Sequence, residues 1–220
     1  METQATKKES RAFLWMLGGV LLIFAAMLFY LIRPTHQRGE IECESDQLLI
    51  IQHTTGSEAE AEYWMRENGE WNLKRSGSAY VGKYGIGKMR EGDACTPVGE
   101  FRIWDVFGIL PDPGCKLHYI QADENLYGCD ENSPYYNRLI DTTVVHHHCQ
   151  GEHIIDYVPE YNYAFSVNYN EECVYGVGSN IYVHCKGRYP YTAGCIGIDE
   201  DFMRLILTTC DSTLRVRILE

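Results

Sequence analysis

The chain has 220 residues, of which 31 are acidic and 19 are lysine or arginine, giving a formal net charge of −12. This length suits one ordinary domain with an appendage. Proteins whose main ligand is nucleic acid usually present a basic face. The sequence contains no basic cluster, so its charge argues against a nucleic-acid partner.

An apolar segment lies close to the start of the sequence. From Ala12 to Ile32 the stretch AFLWMLGGVLLIFAAMLFYLI carries no charged side chain. At about 1.5 Å per residue, a helix of this length would cross the hydrocarbon core of a bilayer. A cleavable signal peptide would be shorter and would end in small residues. We therefore predict a retained single-pass anchor at 12–32, rather than a buried core helix, after a tail at 1–11.

The charges that flank this segment predict its orientation. Three basic residues precede the segment and two follow it closely, a slight bias that favours a cytoplasmic N-terminus. The tail at 1–11 would then be cytoplasmic, and the folded part of the chain would lie outside the cytoplasm. Residues 33–46 are polar and lack periodicity, which is typical of a short stalk.

Short strands dominate the predicted elements after the stalk. Strand patterns occur in QLLIIQHT, on both sides of Asn68-Gly69, and in GEFRIW, YNYAFSVNY, SNIYVH and TLRVRIL. The Asn-Gly pair is the strongest short signal for a β-hairpin. Many short strands with frequent turns predict a mainly β fold, a sandwich or barrel, with one or two small helices.

Two further segments complete this prediction. DEDFMRLILTTC has apolar residues at helical spacing and predicts a helix, with Asp199 placed to cap it. Residues 111–156 are rich in glycine, proline, asparagine and aspartate. They predict an irregular segment, either a long functional loop or an insert.

Nine cysteines bear on the chemistry of the chain. An odd number leaves at least one outside any intramolecular disulfide, and the spacing alone does not pair the others. In IYVHCKGRYPYTAGCIGI, a strand ends at His184, and Cys195 follows a loop that is long enough to fold back. A nearby imidazole can activate a thiol and return its proton to a leaving amine. Residue types alone leave a nucleophile, a metal ligand and a structural thiol or disulfide open.

Three blocks of sequence resemble one family. VHCKGRYPYTAGCIGI resembles the active-site signature of the L,D-transpeptidase catalytic (YkuD-like) domain, and VGKYGIGKMREGDACTPVGEFRI resembles its glycine-rich block. CDENSPYYNRLID and EHIIDYVPEYNYAFSVNYN are similar to the spacer of a compact, membrane-anchored branch. The resemblance covers Gln47 to Leu219 and implies a β-sandwich-like catalytic domain at 47–220.

The resemblance also implies an activity. Domains of this family attack the diamino-acid carbonyl of a peptidoglycan stem peptide, expel D-alanine and hold an acyl-thioester. The thioester is then passed to an amine, which forms a 3→3 cross-link or attaches a wall component. No metal or organic cofactor is implied. The domain would face the cell wall from the cell membrane, with stem peptides as its partners.

Roles for individual residues follow from the same resemblance. Cys195 would be the nucleophile and His184 the general base and acid. The backbone of Thr192, Ala193 and Gly194 would have two roles. The Ala193 carbonyl would orient the histidine. The N–H groups of Gly194 and Cys195 would face the oxyanion.

One departure concerns substrate binding. Many members carry arginine two places after the cysteine, where this sequence has Gly197. Lys186 and Arg188 could supply positive charge for substrate binding instead.

The sequence leaves three alternative functions open. It also leaves the oligomeric state open. Water in place of the acceptor amine would make the protein an L,D-carboxypeptidase. The Gly197 departure permits a wall-binding module without catalysis. A zinc-dependent wall peptidase would use the histidine-rich stretch VVHHHCQGEH, although its spacing fits no well-formed ligand motif. The ligand candidates in that stretch are His146, His147, His148, Cys149 and His153.

Overall fold

The computed structural model describes residues 41–220. The predicted tail, the predicted anchor and most of the stalk lie outside the described residues. Between residues 41 and 220, no helix combines the length and the hydropathy needed to cross a membrane.

Twelve strands form the framework of the described part of the chain. They are β1 Gln47–Thr55, β2 Glu58–Glu67, β3 Glu70–Tyr80, β4 Gly99–Gly108, β5 Tyr119–Gln121, β6 Leu126–Cys129, β7 Arg138–Asp141, β8 Glu152–His153, β9 Ala164–Val167, β10 Tyr182–Cys185, β11 Ile196–Ile198 and β12 Arg215–Leu219. Two α-helices, Thr142–Val145 and Glu200–Thr209, and two short 3₁₀ turns, Ile154–Asp156 and Glu160–Asn162, accompany them. The mainly β prediction is confirmed.

Nine of the strands form one sheet, in the order β12-β1-β2-β3-β11-β10-β9-β4-β5. An additional antiparallel pairing joins β12 to β4, from Arg215 opposite Arg102 to Ile218 opposite Gly99. This pairing closes the sheet on itself into a barrel. The barrel encloses a large apolar core made by side chains from the main-sheet strands and the long helix.

The hairpin predicted at Asn68-Gly69 is confirmed. Strands β2 and β3 pair antiparallel along their length, and the two turn residues have φ values of +54° and +83°. Positive φ at both central positions is what a type I′ turn requires, and Asn-Gly supplies it at the lowest steric cost. The turn therefore fixes the register of the longest strand pair.

The predicted helix is also confirmed, at Glu200–Thr209. Its buried face consists of Phe202, Met203, Ile206 and Leu207, which pack into the barrel core. Asp199 holds the N-cap position, but its side chain makes no capping hydrogen bond. The predicted N-cap position is therefore confirmed, and the cap is made by the Asp199 carbonyl, which accepts from the N–H groups of Phe202 and Met203.

The prediction of an irregular segment at 111–156 is wrong in part. Strands β6, β7 and β8 form a second, three-stranded sheet in the order β7-β6-β8, and β5 extends the main sheet. These strands have two to four residues each, which is too short to produce a recognisable alternation in the sequence. The second sheet carries Glu152 on β8, a residue that reaches the cavity described next.

Candidate active site

Two neighbouring strands place the candidate catalytic residues. Strand β10 runs parallel to β11, with Val183 opposite Ile196 and His184 opposite Gly197. Side chains alternate between the two faces of a strand. Val183 accordingly points into the main core, whereas His184 lies on the face shared by Cys195, which directly precedes β11.

His184 and Cys195 line the same cavity, which has a volume of about 200 Å³. Both are largely buried, with 6% and 8% of their surfaces exposed. The other residues that line the cavity come from the end of β3, from β11, from the second sheet, from the 3₁₀ turns and the residue between them, and from the loop between β10 and β11. They are Tyr80, Glu152, Tyr157, Glu160, Tyr161, Gly187, Tyr189, Tyr191, Thr192, Ala193 and Gly197.

The thiol of Cys195 is held in a neutral state. Its S–H donates to the carbonyl of Asn180 at 3.1 Å, and the sulfur accepts from the Tyr182 N–H at 3.4 Å. Burial, reinforced by the charge of Glu152, raises the pKa of the Cys195 thiol well above its usual value. Lys88 acts in the opposite direction. The resting group is therefore a thiol that needs a base before it can attack.

The imidazole of His184 is suited to be that base. Its Nδ1 lies 2.7 Å from the carbonyl of Cys185. A carbonyl can only accept, so Nδ1 carries the hydrogen and Nε2 carries the lone pair in the neutral ring. Burial lowers the pKa of His184, partly offset by the Cys185 hydrogen bond and the charge of Glu160. The resemblance assigns the orienting carbonyl to Ala193, whereas in the structure the Cys185 carbonyl performs that task.

The backbone of Cys195 is anchored from two sides. Its carbonyl accepts hydrogen bonds from the hydroxyls of Thr192 at 2.7 Å and Thr96 at 3.2 Å. Thr96 also accepts from the N–H of Gly82 at 2.8 Å. The glycine-rich block and the cysteine block, more than ninety residues apart in the chain, thus meet at the candidate nucleophile.

Gly194 adopts a backbone conformation suited to its place beside the cysteine. Its φ of +148° is one that side-chain-bearing residues rarely adopt. Its N–H donates to the Thr192 hydroxyl at 3.1 Å, so this N–H is already engaged rather than turned toward a substrate oxygen. The oxyanion role of Gly194 and Cys195 stays a prediction.

A buried ion pair organises part of the glycine-rich block. The ammonium of Lys88 lies 3.0 Å from a carboxylate oxygen of Asp93, with side-chain exposures of 2% and 13%. Burial raises the pKa of Asp93, but backbone N–H donors, including those of Met89 and Cys95, outweigh burial and bring the value to about 2. Asp93 therefore stays ionised and organises a turn, which agrees with a structural role.

Glu152 brings a carboxyl group to the cavity wall. Burial, increased by the charges of Asp130 and Glu91, raises its pKa from 4.5 to about 7, against a lowering hydrogen bond from Tyr161. The Tyr161 hydroxyl donates to it at 2.7 Å, and the Tyr161 ring meets the His184 ring edge-on at 5.5 Å. Glu152 thus changes charge near neutral pH within the cavity that holds the thiol.

The two predicted substrate-binding cations do not line the cavity. Lys186 lies 2.9 Å from a carboxylate oxygen of Asp199 and donates to the Ser78 hydroxyl at 2.7 Å. Arg188 is exposed on the loop after β10. Gly197 does line the cavity, directly opposite His184, where a Cβ atom would contact the imidazole at 3.8 Å.

The histidine-rich stretch does not form one metal site from its own members. His153 contacts Asp156 at 2.9 Å and stacks on Tyr127, while the His146 backbone caps a short helix. His147 lies elsewhere, 2.6 Å from Glu131. The zinc-peptidase alternative therefore lacks the ligand set on which it depends.

All nine cysteines of the chain lie in the described part and are free thiols there. Cys185 points into the main core, where its S–H donates to the Tyr163 carbonyl at 3.4 Å. It therefore faces away from the cavity, as expected for the residue next to His184 on a strand.

Sequence reasoning did not single out three residues of this site, Lys88, Thr96 and Glu152, and it gave Tyr161 no role beside Cys195. Lys88 and Thr96 lie in the glycine-rich block that carries the resemblance, so that block offered a signal for them. Glu152 and Tyr161 lie in or beside the segment predicted as irregular, and no pattern connected them to Cys195. Only the second sheet brings Glu152 to the cavity.

Comparisons with known proteins give partial similarities. No family model matches the chain, and no curated protein matches it. Among solved structures, the helical cell shape determining protein Pgp2 from Campylobacter jejuni is 18% identical with a TM-score of 0.43, covering 79% of this chain and 48% of its own. Bd1075 from Bdellovibrio bacteriovorus is 15% identical, also with a TM-score of 0.43, and the match covers 79% of this chain and 48% of Bd1075.

Another solved structure is L,D-transpeptidase 1 from Mycobacterium tuberculosis, which is 16% identical with a TM-score of 0.35, covering 79% of this chain and 63% of its own. This chain therefore spans about half the length of Pgp2 and Bd1075. The function proposed below rests on the residues of this chain and on the geometry of its cavity.

Proposed function

We propose that this protein is a cysteine-dependent acyl transferase that acts on peptidoglycan stem peptides. The observation that carries the proposal is the placement of Cys195 and His184 on one face of the sheet, in one cavity. The chemistry is supported by the geometry, and the substrate class by the three sequence blocks that resemble L,D-transpeptidase domains.

In the resting structure the Cys195 S–H donates to the Asn180 carbonyl. The proposed reaction begins when this S–H turns to Nε2 of His184 and transfers its proton. The sulfur then bonds to the carbonyl carbon of the diamino acid, and negative charge develops on the carbonyl oxygen. The Cys195 N–H, the remaining donor of the predicted oxyanion pair, would stabilise that oxygen, a contribution of typically about 3 kcal/mol. As the bond to D-alanine breaks, the imidazolium returns its proton to the departing amine and leaves an acyl-thioester.

The second half of the reaction releases the acyl group. An acceptor amine or water attacks the thioester carbonyl while His184 takes its proton. The carbon–sulfur bond breaks, and the thiolate of Cys195 regains a proton from the imidazolium. An amine acceptor yields a 3→3 cross-link or an attached wall component, whereas water yields a free tripeptide stem.

The small volume of the cavity favours hydrolysis of the acyl-thioester as the second candidate activity. Sites that enclose drug-sized ligands usually have volumes of about 300–1,000 Å³, and this cavity has about 200 Å³. It holds the reacting end of one stem more readily than the ends of two. Water needs no second stem in the cavity, which makes L,D-carboxypeptidase activity the alternative outcome.

Incubation of the purified protein with a tetrapeptide stem and an acceptor stem tests the proposal. We expect D-alanine release together with either cross-linked dimer or free tripeptide, and product analysis separates these outcomes. Cys195→Ala and His184→Ala should each abolish release, while His148→Ala, which alters an exposed histidine outside the cavity, should not. Undiminished release by both cavity variants would contradict the proposal.

The proposal also places the domain on the outer side of the cell membrane, held by the apolar segment at 12–32. Fractionation with protease protection tests it: cleavage of the catalytic domain from outside the membrane is expected, and full protection in intact spheroplasts would contradict it.

A further inference from the structure

A second cluster of reactive side chains lies away from the cavity, in the segment that joins β6 to β8. The Cys129 sulfur, a carboxylate oxygen of Glu131 and a ring nitrogen of His147 all lie within 4.8 Å of one another. In the part of the chain that the structure describes, no other three histidine, cysteine or acidic side chains gather so closely. The proposed acyl transfer uses none of them.

Cys149 lies beside this cluster. It is buried with Cys129 and Ile140 in a small apolar cluster, although its sulfur is not one of the three atoms that lie within 4.8 Å of one another. The Cys149 sulfur accepts from the Gly151 N–H at 3.3 Å, which fixes its position. One thiol, an imidazole and a carboxylate thus converge at the end of β6, and a second buried thiol next to them could become the fourth ligand.

We propose that Cys129, Cys149, His147 and Glu131 bind a structural Zn²⁺ ion. Four protein ligands of sulfur, nitrogen and oxygen type are the set that closed, tetrahedral zinc sites use. Thiolate and imidazole ligands favour zinc over magnesium or calcium, which prefer oxygen. The resemblance implies no metal or organic cofactor anywhere in the chain, so a zinc ion here would depart from that expectation. His147 and Cys149 belong to the histidine-rich stretch, but the site lies apart from the catalytic cavity.

The arrangement around the four ligands supports a closed site. The Tyr135 ring lies 4.9 Å from the His147 ring and covers it, and the Ser133 hydroxyl lies 3.6 Å from the Cys129 sulfur. His147 and Glu131 are each less than one-third exposed. Such neighbours orient ligands and limit solvent access, as expected around structural zinc.

Charge balance also favours a cation at this cluster. Glu131 brings a carboxylate close to the buried Cys129 sulfur. Zn²⁺ binds cysteine as the thiolate and releases the thiol proton, so a bound ion would neutralise most of the charge of its ligands.

The proposed site would act on the cavity wall. Cys129 ends β6, and Gly128 beside it pairs with Glu152 of β8, the residue that lines the catalytic cavity. Zinc would tie the whole segment from 129 to 149 to this strand pair. The metal would therefore stabilise the position of Glu152 without contacting substrate.

Cobalt substitution provides the direct test on the full chain. Reduced, metal-free protein titrated with Co²⁺ should show thiolate-to-cobalt charge transfer and the intense visible bands of tetrahedral cobalt, reaching one ion per chain. Added Zn²⁺ should abolish both signals. A spectrum of octahedral, water-bound cobalt would overturn the proposal, because it would show that the thiolates are not ligands.

Variants identify the ligands. Cys129→Ser, Cys149→Ser and His147→Ala should each weaken Zn²⁺ binding by at least about tenfold, and each should be checked by circular dichroism for folding. Glu131→Gln, which keeps the shape of the side chain, should weaken binding while leaving the fold intact. His148→Ala and Cys173→Ser are matched controls and should bind zinc normally.

Two results would overturn the proposal. One is unchanged Zn²⁺ affinity in Glu131→Gln together with unchanged affinity in the other folded ligand variants. The second is a Cys129–Cys149 disulfide, without zinc, in protein isolated from its native compartment under thiol-blocking conditions. Neither result depends on acyl transfer, so the zinc proposal and the proposed function can fail separately.

Discussion

At the scale of single residues, the candidate nucleophile is positioned through its carbonyl oxygen as well as its sulfur. Thr192 and Thr96 both donate to the Cys195 carbonyl, and Thr96 also accepts from Gly82. Thr96 is fully buried, so its two hydrogen bonds have no competing solvent. The hydroxyl is therefore a positioning group, which acts through Cys195 rather than on substrate.

Replacement of Thr96 by valine tests this role. Thr96→Val keeps the side-chain shape but leaves the buried Gly82 N–H and a lone pair of the Cys195 carbonyl unpaired, a cost of about 1–3 kcal/mol in stability. We expect kcat for D-alanine release to fall while KM changes little, since substrate contacts remain. Thr208→Val, on the long helix, is the control and should keep the wild-type kcat. Equal losses of kcat in both variants would contradict a positioning role.

Glu152 makes stability depend on pH in a defined direction. Its pKa in the folded protein, about 7, exceeds the ordinary value of 4.5. The folded state therefore holds a proton that the unfolded state has lost between these values. Its contribution is fully present below about pH 4.5 and is lost as the pH rises through about 7, a total of about 3 kcal/mol.

Glu152→Gln isolates that contribution, because the amide does not titrate. The free energy of unfolding of the wild type, measured relative to this variant in urea, should decrease as the pH rises from 4.5 to 7 and then level off. The lowered pKa of His184 acts in the opposite sense, but it is common to both proteins and cancels. Glu60→Gln, on an exposed position of β2, is the control. A difference between wild type and Glu152→Gln that is independent of pH would contradict the assignment.

At the scale of elements, the glycine-rich block and the cysteine loop are held together by close backbone packing. Gly82 follows β3 and forms isolated bridges with Gly85 and Thr192. A Cβ atom at Gly82 would lie 2.7 Å from the Cα of Cys95 and closer still to the Ala94 carbonyl, both of which belong to the glycine-rich block. Only glycine permits this approach, which folds the block closely where Gly82 forms its bridge to Thr192 of the cysteine loop.

Two glycine substitutions test this packing. Gly82→Ala should destabilise the protein by about 1–3 kcal/mol through overpacking and should also reduce D-alanine release. Gly77→Ala, in β3, places its Cβ at an ordinary 3.7 Å from Phe202 and should be tolerated. Thermal melts of both variants measure the difference. Similar midpoints for the two variants would show that the backbone at Gly82 has room to adjust.

The second sheet is the element of this domain that its sequence does not predict. Strands β6 and β8 have four and two residues, and their pairing depends on Gly128, over which Tyr182 and Asn180 pack closely. Such short strands are specified by tertiary contacts and not by local pattern. The proposed zinc site lies at the end of this sheet and would supply the stability that its short ladders lack.

At the scale of the whole molecule, long and regular features were predictable from sequence. The Asn68-Gly69 hairpin, the helix at Glu200–Thr209 and the mainly β architecture each have a strong local signal. Within the site, the placement of His184 at a strand end was also predictable. Strand alternation and a parallel β10–β11 pair then bring it to the same face as Cys195.

The parts that sequence did not reveal depend on contacts between distant segments. Thr96 and Lys88 reach the cysteine loop only because the barrel brings together two blocks about a hundred residues apart. The carbonyl that orients His184 belongs to Cys185, the next residue on β10, and this contact depends on the local geometry at the end of that strand. The cations at 186 and 188 were expected near substrate, but Lys186 pairs with Asp199, which no sequence spacing indicates.

The central claim is that the Cys195 sulfur becomes acylated by a peptidoglycan stem. Intact-mass and peptide-mapping spectrometry of the purified protein, quenched in acid during turnover of a tetrapeptide stem, measures this directly. The account predicts a single adduct with the mass of the stem less D-alanine, located on Cys195, retained in Cys173→Ser and absent from Cys195→Ala. D-alanine release in which Cys195→Ala keeps the wild-type rate, or an adduct found on a different cysteine, would contradict it.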